Sequence, residues 1–310
     1  LLDEYIPAID RSELNDDPLN PLSVIAKEII EKEGDKTKIY WIHRSERYTE
    51  KLATPDVSVA DLIGDVDPIK AAALKLPYSD ERVIHFGLIP RSHRGIFVIN
   101  ELPDLQARIQ VALFNILQES DIQIRGFKVR LPLDIQFIFT ANPEDYTNRG
   151  SIVTPLKDRI DSQILTHYPR NIEISKRITQ QEANLTQDQK EKINPDEILH
   201  DLVEQIAFEA RGSEYIDAKS GVSARLSISA YENLISTAER RRIINNEKET
   251  HLRLSDLYGV IPSITGKIEL VYEGEQEGPV KVAHILIGKA IKTQFVHYFP
   301  NPDTLKKKND

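Results

Sequence analysis

Two short apolar runs in this chain end abruptly in polar side chains. The first is Arg94-Gly95-Ile96-Phe97-Val98-Ile99 followed by Asn100-Glu101. The second, about forty residues on, is Ile135-Gln136-Phe137-Ile138-Phe139-Thr140-Ala141 followed by Asn142-Pro143. A near-continuous apolar run of this length predicts a buried parallel strand, and polar groups at its end predict side chains delivered to the strand's C-terminal edge. Between the two runs, Pro103 and Asp104 open an amphipathic pattern that reaches Glu119. Leu105, Ile109, Ala112, Leu113, Ile116 and Leu117 share one helical face there. Ile122–Ile124 and Lys128–Leu131 then alternate about Arg125-Gly126, as a hairpin would.

The flanking pattern is mostly helical. Residues 1–20 predict a helix end followed by a polar turn at Asn15–Pro18. Leu22–Lys32 predicts a helix, Lys38–His43 a short strand with Trp41 in the core, and Ile69–Lys75 a helix capped by Asp65–Pro68. Val83–Ile89 leads into the first apolar run. A helix starts at 171–185, the polar run Thr186–Pro195 predicts a loop and a domain boundary, and Asp196–Arg242 is helical. Residues 251–310 mix helix with a charged loop at Glu273–Gly278 and a frayed tail at Lys306–Asp310.

Composition narrows the class. A chain of 310 residues with 40% apolar and 29% charged positions fits a globular protein of one large and one smaller domain. Its net charge of −9 disfavours a general nucleic-acid binder. No apolar run approaches a bilayer span and no signal-like segment opens the chain, which predicts a cytoplasmic protein without membrane contact. Cysteine is absent, so neither disulfides nor thiolate metal sites arise. Methionine is absent too, even at position 1, which predicts that these 310 residues omit segments of the natural chain.

The two tipped strands, with the helix, hairpin and return strand between them, resemble the AAA+ ATPases, specifically the magnesium-chelatase I-subunit and MoxR-like branch. The likeness spans roughly residues 1–240 and is sharpest over Ile63–Tyr168. Leu62–Ala71 and the Phe86–Pro90 approach to Arg94-Gly95 add to it, while the last seventy residues carry no resemblance. The implied fold is α/β: a P-loop-type parallel sheet flanked by helices over 1–185, with a smaller α-helical lid and C-terminal region over 196–310.

The resemblance also implies roles. Asn100-Glu101 stands at a Walker B segment, where an aspartate orients Mg2+ and a glutamate polarises the attacking water. Here Glu101 is the candidate for water activation. Asn100 can accept a hydrogen bond from a magnesium-bound water through its carbonyl, without the charge of an aspartate. On the residues alone, a strand end with Glu101 favouring a helix dipole is an equal reading. Asn142 matches the sensor-1 position, where an amide holds the water; alone, Asn-Pro is also a common turn. Arg159, in Leu156-Lys157-Asp158-Arg159-Ile160, resembles an arginine finger aimed at a neighbouring subunit's nucleotide, against a surface arginine paired with Asp158 or Asp161. Arg149 is a second, weaker finger candidate. Arg225, in Ser223-Ala224-Arg225-Leu226, resembles a sensor-2 arginine linking the lid to the γ-phosphate. Arg240–Arg242 reads as a solvated helix end, and His85, His93 and His167 as strand-flanking side chains with backbone partners rather than metal ligands.

No Gly-x-x-x-x-Gly-Lys-Ser/Thr phosphate loop occurs in the 310 residues. The family places that loop upstream of the stretch beginning at Leu1, so an upstream segment would complete the site, and its true absence would leave a degenerate scaffold. Family membership implies ATP and Mg2+ as cofactors, a homo-oligomeric, commonly hexameric ring, and a client protein, which could carry a von Willebrand-type metal-binding domain. The leading expectation is an ATPase that remodels or activates a partner. The alternatives are a scaffold with weak or no turnover, and a transcription regulator built on a related module.

Overall fold

The computed structural model describes residues 2–119, 121–124, 130–142, 151–218 and 220–299. The expected glycine turn at Arg125-Gly126, the candidate Arg149 and the tail from Pro300 onward lie outside them. The chain divides into two compact units, Leu1–Ile164 and Leu165–Asp310. Among the described residues, no helix is long and apolar enough to cross a membrane.

The first unit begins with a strand where the sequence predicts a helix. Strand β1 (Tyr5–Ile9) pairs antiparallel with β2 (Ile39–His43), with Tyr5 opposite His43 and Ile9 opposite Ile39. Pro7 has no amide hydrogen to give a helix, and the alternation of Ile6 and Ala8 suits a strand with one buried face. Among the described residues, Ile6, Ala8 and Ile42 form that buried cluster. Trp41 stands on the other face opposite Pro7 and is 60% exposed, so it is not the core residue its isolation in an apolar strand predicts.

Between these strands, helix α1 (Val24–Glu33) is started by Ser23, whose side chain accepts from the Ala26 amide. Ser23 also belongs to a buried knot around Asp16. The Asp16 carboxylate accepts from the Ser12 and Ser23 hydroxyls at 2.6 and 2.7 Å and from the Ser23 and Leu22 amides. Burial alone would raise this carboxyl, but these four donors together hold it below its ordinary value of 3.8. The sign follows from linkage: a depressed folded-state value contributes stability that is present above 3.8 and lost as pH falls through the lower folded value. Thermal unfolding followed by circular dichroism should therefore show a midpoint that drops with acidification below about pH 4. Asp16→Asn should flatten that limb and cost about 1–3 kcal/mol near neutrality; a wild-type acid limb retained in the variant would refute this.

The central sheet follows. Strands β3 (Tyr48–Leu52), β6 (Gly95–Asn100) and β9 (Ile135–Phe139) run parallel in the order β3-β6-β9, with Leu52 opposite Asn100 and Ile99 opposite Phe139. Parallel neighbours need crossovers, and the chain supplies two. The first carries α2 (Val59–Leu62), the hairpin strands β4 (Gly64–Val66) and β5 (Ile84–Phe86), α3 (Pro68–Leu74) and α4 (Leu88–Arg91). Asp67 caps α3 through the Ile69 and Lys70 amides, with Pro68 in its first turn, as the sequence predicts. The second crossover carries α5 (Ala107–Ala112), α6 (Phe114–Glu119) and the hairpin β7 (Asp121–Gln123) with β8 (Arg130–Pro132). The single helix expected over 103–119 is broken: Leu102–Asp104 is a 3-10 turn holding Pro103, and the α-helix opens only at Ala107.

One face of the sheet is dry and the other is partly open, with Val98 buried at its centre. Phe97, Ile99 and Phe137 pack with Leu102, Ile109 and Leu113 into the core. The rings of Phe97 and Phe137 meet edge-on at 6.0 Å. On the opposite face Tyr48, Leu52 and Ile138 are 50%, 52% and 40% exposed. Two glycines set the close packing behind the sheet. A Cβ on Gly87 would stand 2.5 Å from the Leu62 carbonyl carbon, and one on Gly95 2.5 Å from the Arg47 carbonyl oxygen. Beyond the sheet, α7 (Thr154–Lys157) ends the unit's helices.

The second unit is helical. It contains α8 (Ile172–Glu182), α9 (Gln187–Lys192), α10 (Glu197–Arg211), α11 (Arg225–Ile244), α12 (Ile261–Thr265), α13 (Tyr272–Glu277) and α14 (Pro279–Tyr298). Two expected loops are corrected here. The polar run at 186–195 holds α9, because Thr186 and Gln189 form a reciprocal capping box. The charged run at 273–278 is mostly α13, with Gly274 packed so closely that a Cβ would meet the Tyr215 carbonyl oxygen. The core gathers Leu202, Val203, Ile206, Leu226, Leu234 and Leu286.

Candidate functional site

The C-terminal rim of the parallel sheet is a hydrogen-bonded polar ledge. Ladder bonds continue past the strand ends: Thr140 N donates to Ile99 O at 3.0 Å, Ala53 N to Asn100 O at 2.8 Å, and Leu102 N to Thr140 O at 2.9 Å. This places Thr140 beside Asn100. The Thr140 hydroxyl donates to Asn100 Oδ1 at 3.0 Å and accepts from the Glu101 amide at 3.2 Å. On its other side, Asn100 Nδ2 donates to Glu50 Oε1, and Tyr48 Oη donates to Glu50 Oε2 at 3.3 Å. Thr140, Asn100 and Glu50 are thereby linked side chain to side chain, with Tyr48 reaching Glu50 from the start of β3.

Glu101 leaves β6 with a left-handed backbone, φ 56° and ψ 48°. For a residue with a Cβ this costs about 1–2 kcal/mol, so the surrounding bonds must enforce it. The turn points the chain into the 3-10 segment and leaves Glu101 Oε2 buried without a hydrogen-bond partner. An unpartnered buried carboxylate oxygen is costly unless something else binds it. Asn142 lies three residues past Phe139 beyond the same rim and is exposed. The sheet therefore brings Asn100, Glu101 and Thr140 together, with Asn142 three residues beyond the end of the neighbouring strand.

Arg159 is held elsewhere in the first unit. Its Nε and Nη2 donate to Gln118 Oε1 at 3.0 and 2.8 Å, its Nη1 to Pro155 O at 2.7 Å, and the guanidinium lies 5.1 Å from the Phe114 ring centroid. Buried Gln110 ties this region to α5: its Nε2 donates to Leu105 O and Ser151 O, and its Oε1 accepts from Val153 N. Sequence reading passed over Gln110, although a lone glutamine on an apolar helical face signals a buried polar bridge.

In the second unit, Arg225 is the exposed first residue of α11, and its amide donates to Ser223 Oγ. The loop before it is clamped. Tyr168 Oη accepts from Val222 N at 3.2 Å, while Arg211 Nε donates to Val222 O at 3.1 Å and the guanidinium stacks 4.5 Å from the Tyr168 ring. Gly221, at φ 67°, allows the approach, since a Cβ there would stand 2.3 Å from Tyr168 Oη. Tyr168→Phe should loosen this loop, seen as faster amide exchange at 221–225 by a few fold, with α10 and α11 unaffected. Unchanged exchange would show the clamp to be idle.

The histidines keep separate company. His93 is buried, and its Nδ1 accepts from Asp134 N at 3.0 Å; burial pushes the imidazole below its ordinary value. His167 sits 2.8 Å from the Tyr168 carbonyl oxygen. His85 faces a cleft of about 500 Å³ that Lys51, Asp61, Asp65 and Arg91 also line. Asn100, Glu101 and Thr140 do not line that cleft.

Comparison with known proteins turns on one segment. Residues 77–163 match the family model described as the Sigma-54 interaction domain. This segment is AAA+. The AAA+ segment contains β5 to β9, and with them Asn100, Glu101, Asn142 and Arg159, but neither Glu50 nor Arg225. Solved structures similar to the chain include a candidate ATPase from Cytophaga hutchinsonii, 20% identical over 78% of this chain and 76% of that one, with a TM-score of 0.31. NtrX from Brucella abortus in complex with ADP is 14% identical over 84% of this chain and 57% of that one, at 0.44. A complex of subunits BchI and BchD of magnesium chelatase is 15% identical over 78% and 75%, at 0.35. The parallel sheet with helices packed on its buried face agrees with an AAA+ fold.

Proposed function

We propose that this chain is the working part of an AAA+ ATPase that couples ATP binding and hydrolysis to remodelling or activating a partner protein. The observation that carries the proposal is the ledge: a carboxylate with a buried, unpartnered oxygen at the end of one parallel strand, beside the polar end of the next. Hydrolysis of a phosphoanhydride asks the protein mainly to position groups and place charge. Glu101 polarises the attacking water, and Asn142 holds that water against the γ-phosphate. Arg159 completes a neighbouring subunit's site in a homo-oligomeric ring, which requires it to leave Gln118. Arg225 meets the γ-phosphate and makes the helical unit responsive to nucleotide.

The residues present fit a magnesium ion, because the polar side chains beside the orphaned Glu101 oxygen offer hard oxygen donors. When bound with ATP, Mg2+ neutralises charge on the β- and γ-phosphates. Asn100 would reach the ion through coordinated water, because its Oδ1 already accepts from Thr140. Phosphate binding by a glycine-rich loop is not supplied by these 310 residues, so the test belongs to the full-length protein. Steady-state ATP hydrolysis and equilibrium ATP binding by that protein decide the matter: binding with turnover supports the proposal, and binding without turnover favours a regulatory scaffold. The family match favours one further reading, a regulator that contacts sigma-54. Failure of sigma-54 to bind the ATP-loaded full-length protein would end it.

A further inference from the structure

The missing charge at position 100 has a replacement one strand away. Asn100 stands where the resemblance expects a metal-orienting aspartate, and its amide is already engaged at both ends. Its Oδ1 accepts from Thr140, and its Nδ2 donates to Glu50 Oε1. The assignment of the two ends follows from chemistry, since the end facing a carboxylate must be the donor. Glu50 lies on β3 two residues before Leu52, the register partner of Asn100, on the open face of the sheet and exposed. A carboxylate offers about four acceptor directions, and Asn100 and Tyr48 use two of them.

We propose that Glu50 is the metal-orienting carboxylate of this site. It would hold Mg2+ directly or through coordinated water, while Asn100 fixes its position. This rests on the reading under Proposed function. Mg2+ is a hard cation that binds through one or two carboxylates plus substrate phosphates and retains several waters. A neutral amide whose carbonyl already accepts a hydrogen bond is a poor substitute. Glu50 restores the lost negative charge at the same rim and leaves Glu101 free to act on water. The exchange keeps the net charge of the ledge at that of an Asp-Glu pair.

The test uses the full-length protein with Mn2+ as the probe, the free ion being counted by electron paramagnetic resonance in the presence of ATP. Glu50→Gln should weaken Mn2+ binding to the protein–ATP complex by about tenfold or more. ATP binding in excess chelator should stay within about twofold, because the substitution removes no phosphate contact. Glu50→Gln combined with Asn100→Asp should recover most of the lost metal affinity, since the charge returns at the neighbouring position. Unchanged Mn2+ affinity in Glu50→Gln would overturn the inference while leaving the ATPase reading intact. So would equal losses with and without metal, or a double variant no better than the single one. Wild-type protein that binds no ATP under either condition would sink both. Glu50 is exposed, so the variant should fold, and thermal unfolding checks that it does.

Discussion

Glu101→Gln should lower ATP turnover by the roughly 10²–10⁴-fold typical of a lost general base, with Mg-ATP binding nearly unchanged. The substitution is nearly isosteric and keeps a Cβ at the same left-handed backbone position, so the turn into Leu102–Asp104 should survive. What changes is the oxygen that is buried without a partner. An amide there can accept a hydrogen bond from water but cannot take its proton, which separates binding from chemistry. Single-turnover hydrolysis and equilibrium binding on the same preparation make the measurement. Wild-type turnover in the variant would refute Glu101's role, and loss of binding together with turnover would mean that the ledge had collapsed.

Gly87→Ala should be strongly destabilising for a single methyl addition in the first unit. A Cβ at Gly87 would meet three backbone atoms, the Leu62 carbonyl carbon at 2.5 Å and the Ile63 nitrogen and Leu62 oxygen at 2.6 Å. Backbone atoms cannot swing aside as a side-chain tip can. Relief requires β5 and the start of α4 to move away from the end of α2, breaking the 3.0 Å bond from Gly87 N to Ile63 O. Overpacking a filled core costs about 1–3 kcal/mol, and the added loss of a buried backbone bond puts this case at the upper end. Denaturant unfolding should report it, and a variant within 0.5 kcal/mol of wild type, about the spread of neutral surface changes, would contradict the packing described.

What the sequence discloses tracks how strongly each residue's neighbours are local. Strand β6 and its polar tip are legible because Gly95 to Ile99 are apolar without interruption, and burial on both sides of a central strand demands that. The Asp67-Pro68 start of α3 is legible because capping acts within four residues. By contrast β3, Tyr48-Thr49-Glu50-Lys51-Leu52, escapes the pattern: it is an edge strand with one wet face, so its alternation is weak and two of its residues are charged. Glu50 was therefore invisible as a site residue, since nothing in its own neighbourhood points to Asn100 fifty positions on. Trp41 misleads for the related reason that a two-stranded ribbon has only one dry side. The 3-10 break at Leu102 is a consequence of the left-handed turn at Glu101, which no helical periodicity encodes. Arg159's attachment to Gln118 depends on the turn after α7 meeting α6, and no local pattern records a contact between such distant positions.

The partly open side of the β3-β6-β9 sheet has a practical bearing on anyone who expresses the first unit by itself. Parallel sheets are normally sandwiched between layers, yet Tyr48, Leu52 and Ile138 are 50%, 52% and 40% exposed. At millimolar strength these fragments should stick to one another through that greasy side, giving broadened resonances and cloudy samples. Changing Leu52 and Ile138 to threonine or lysine would keep strand geometry while wetting the patch, and would be a sensible first step toward a tractable sample.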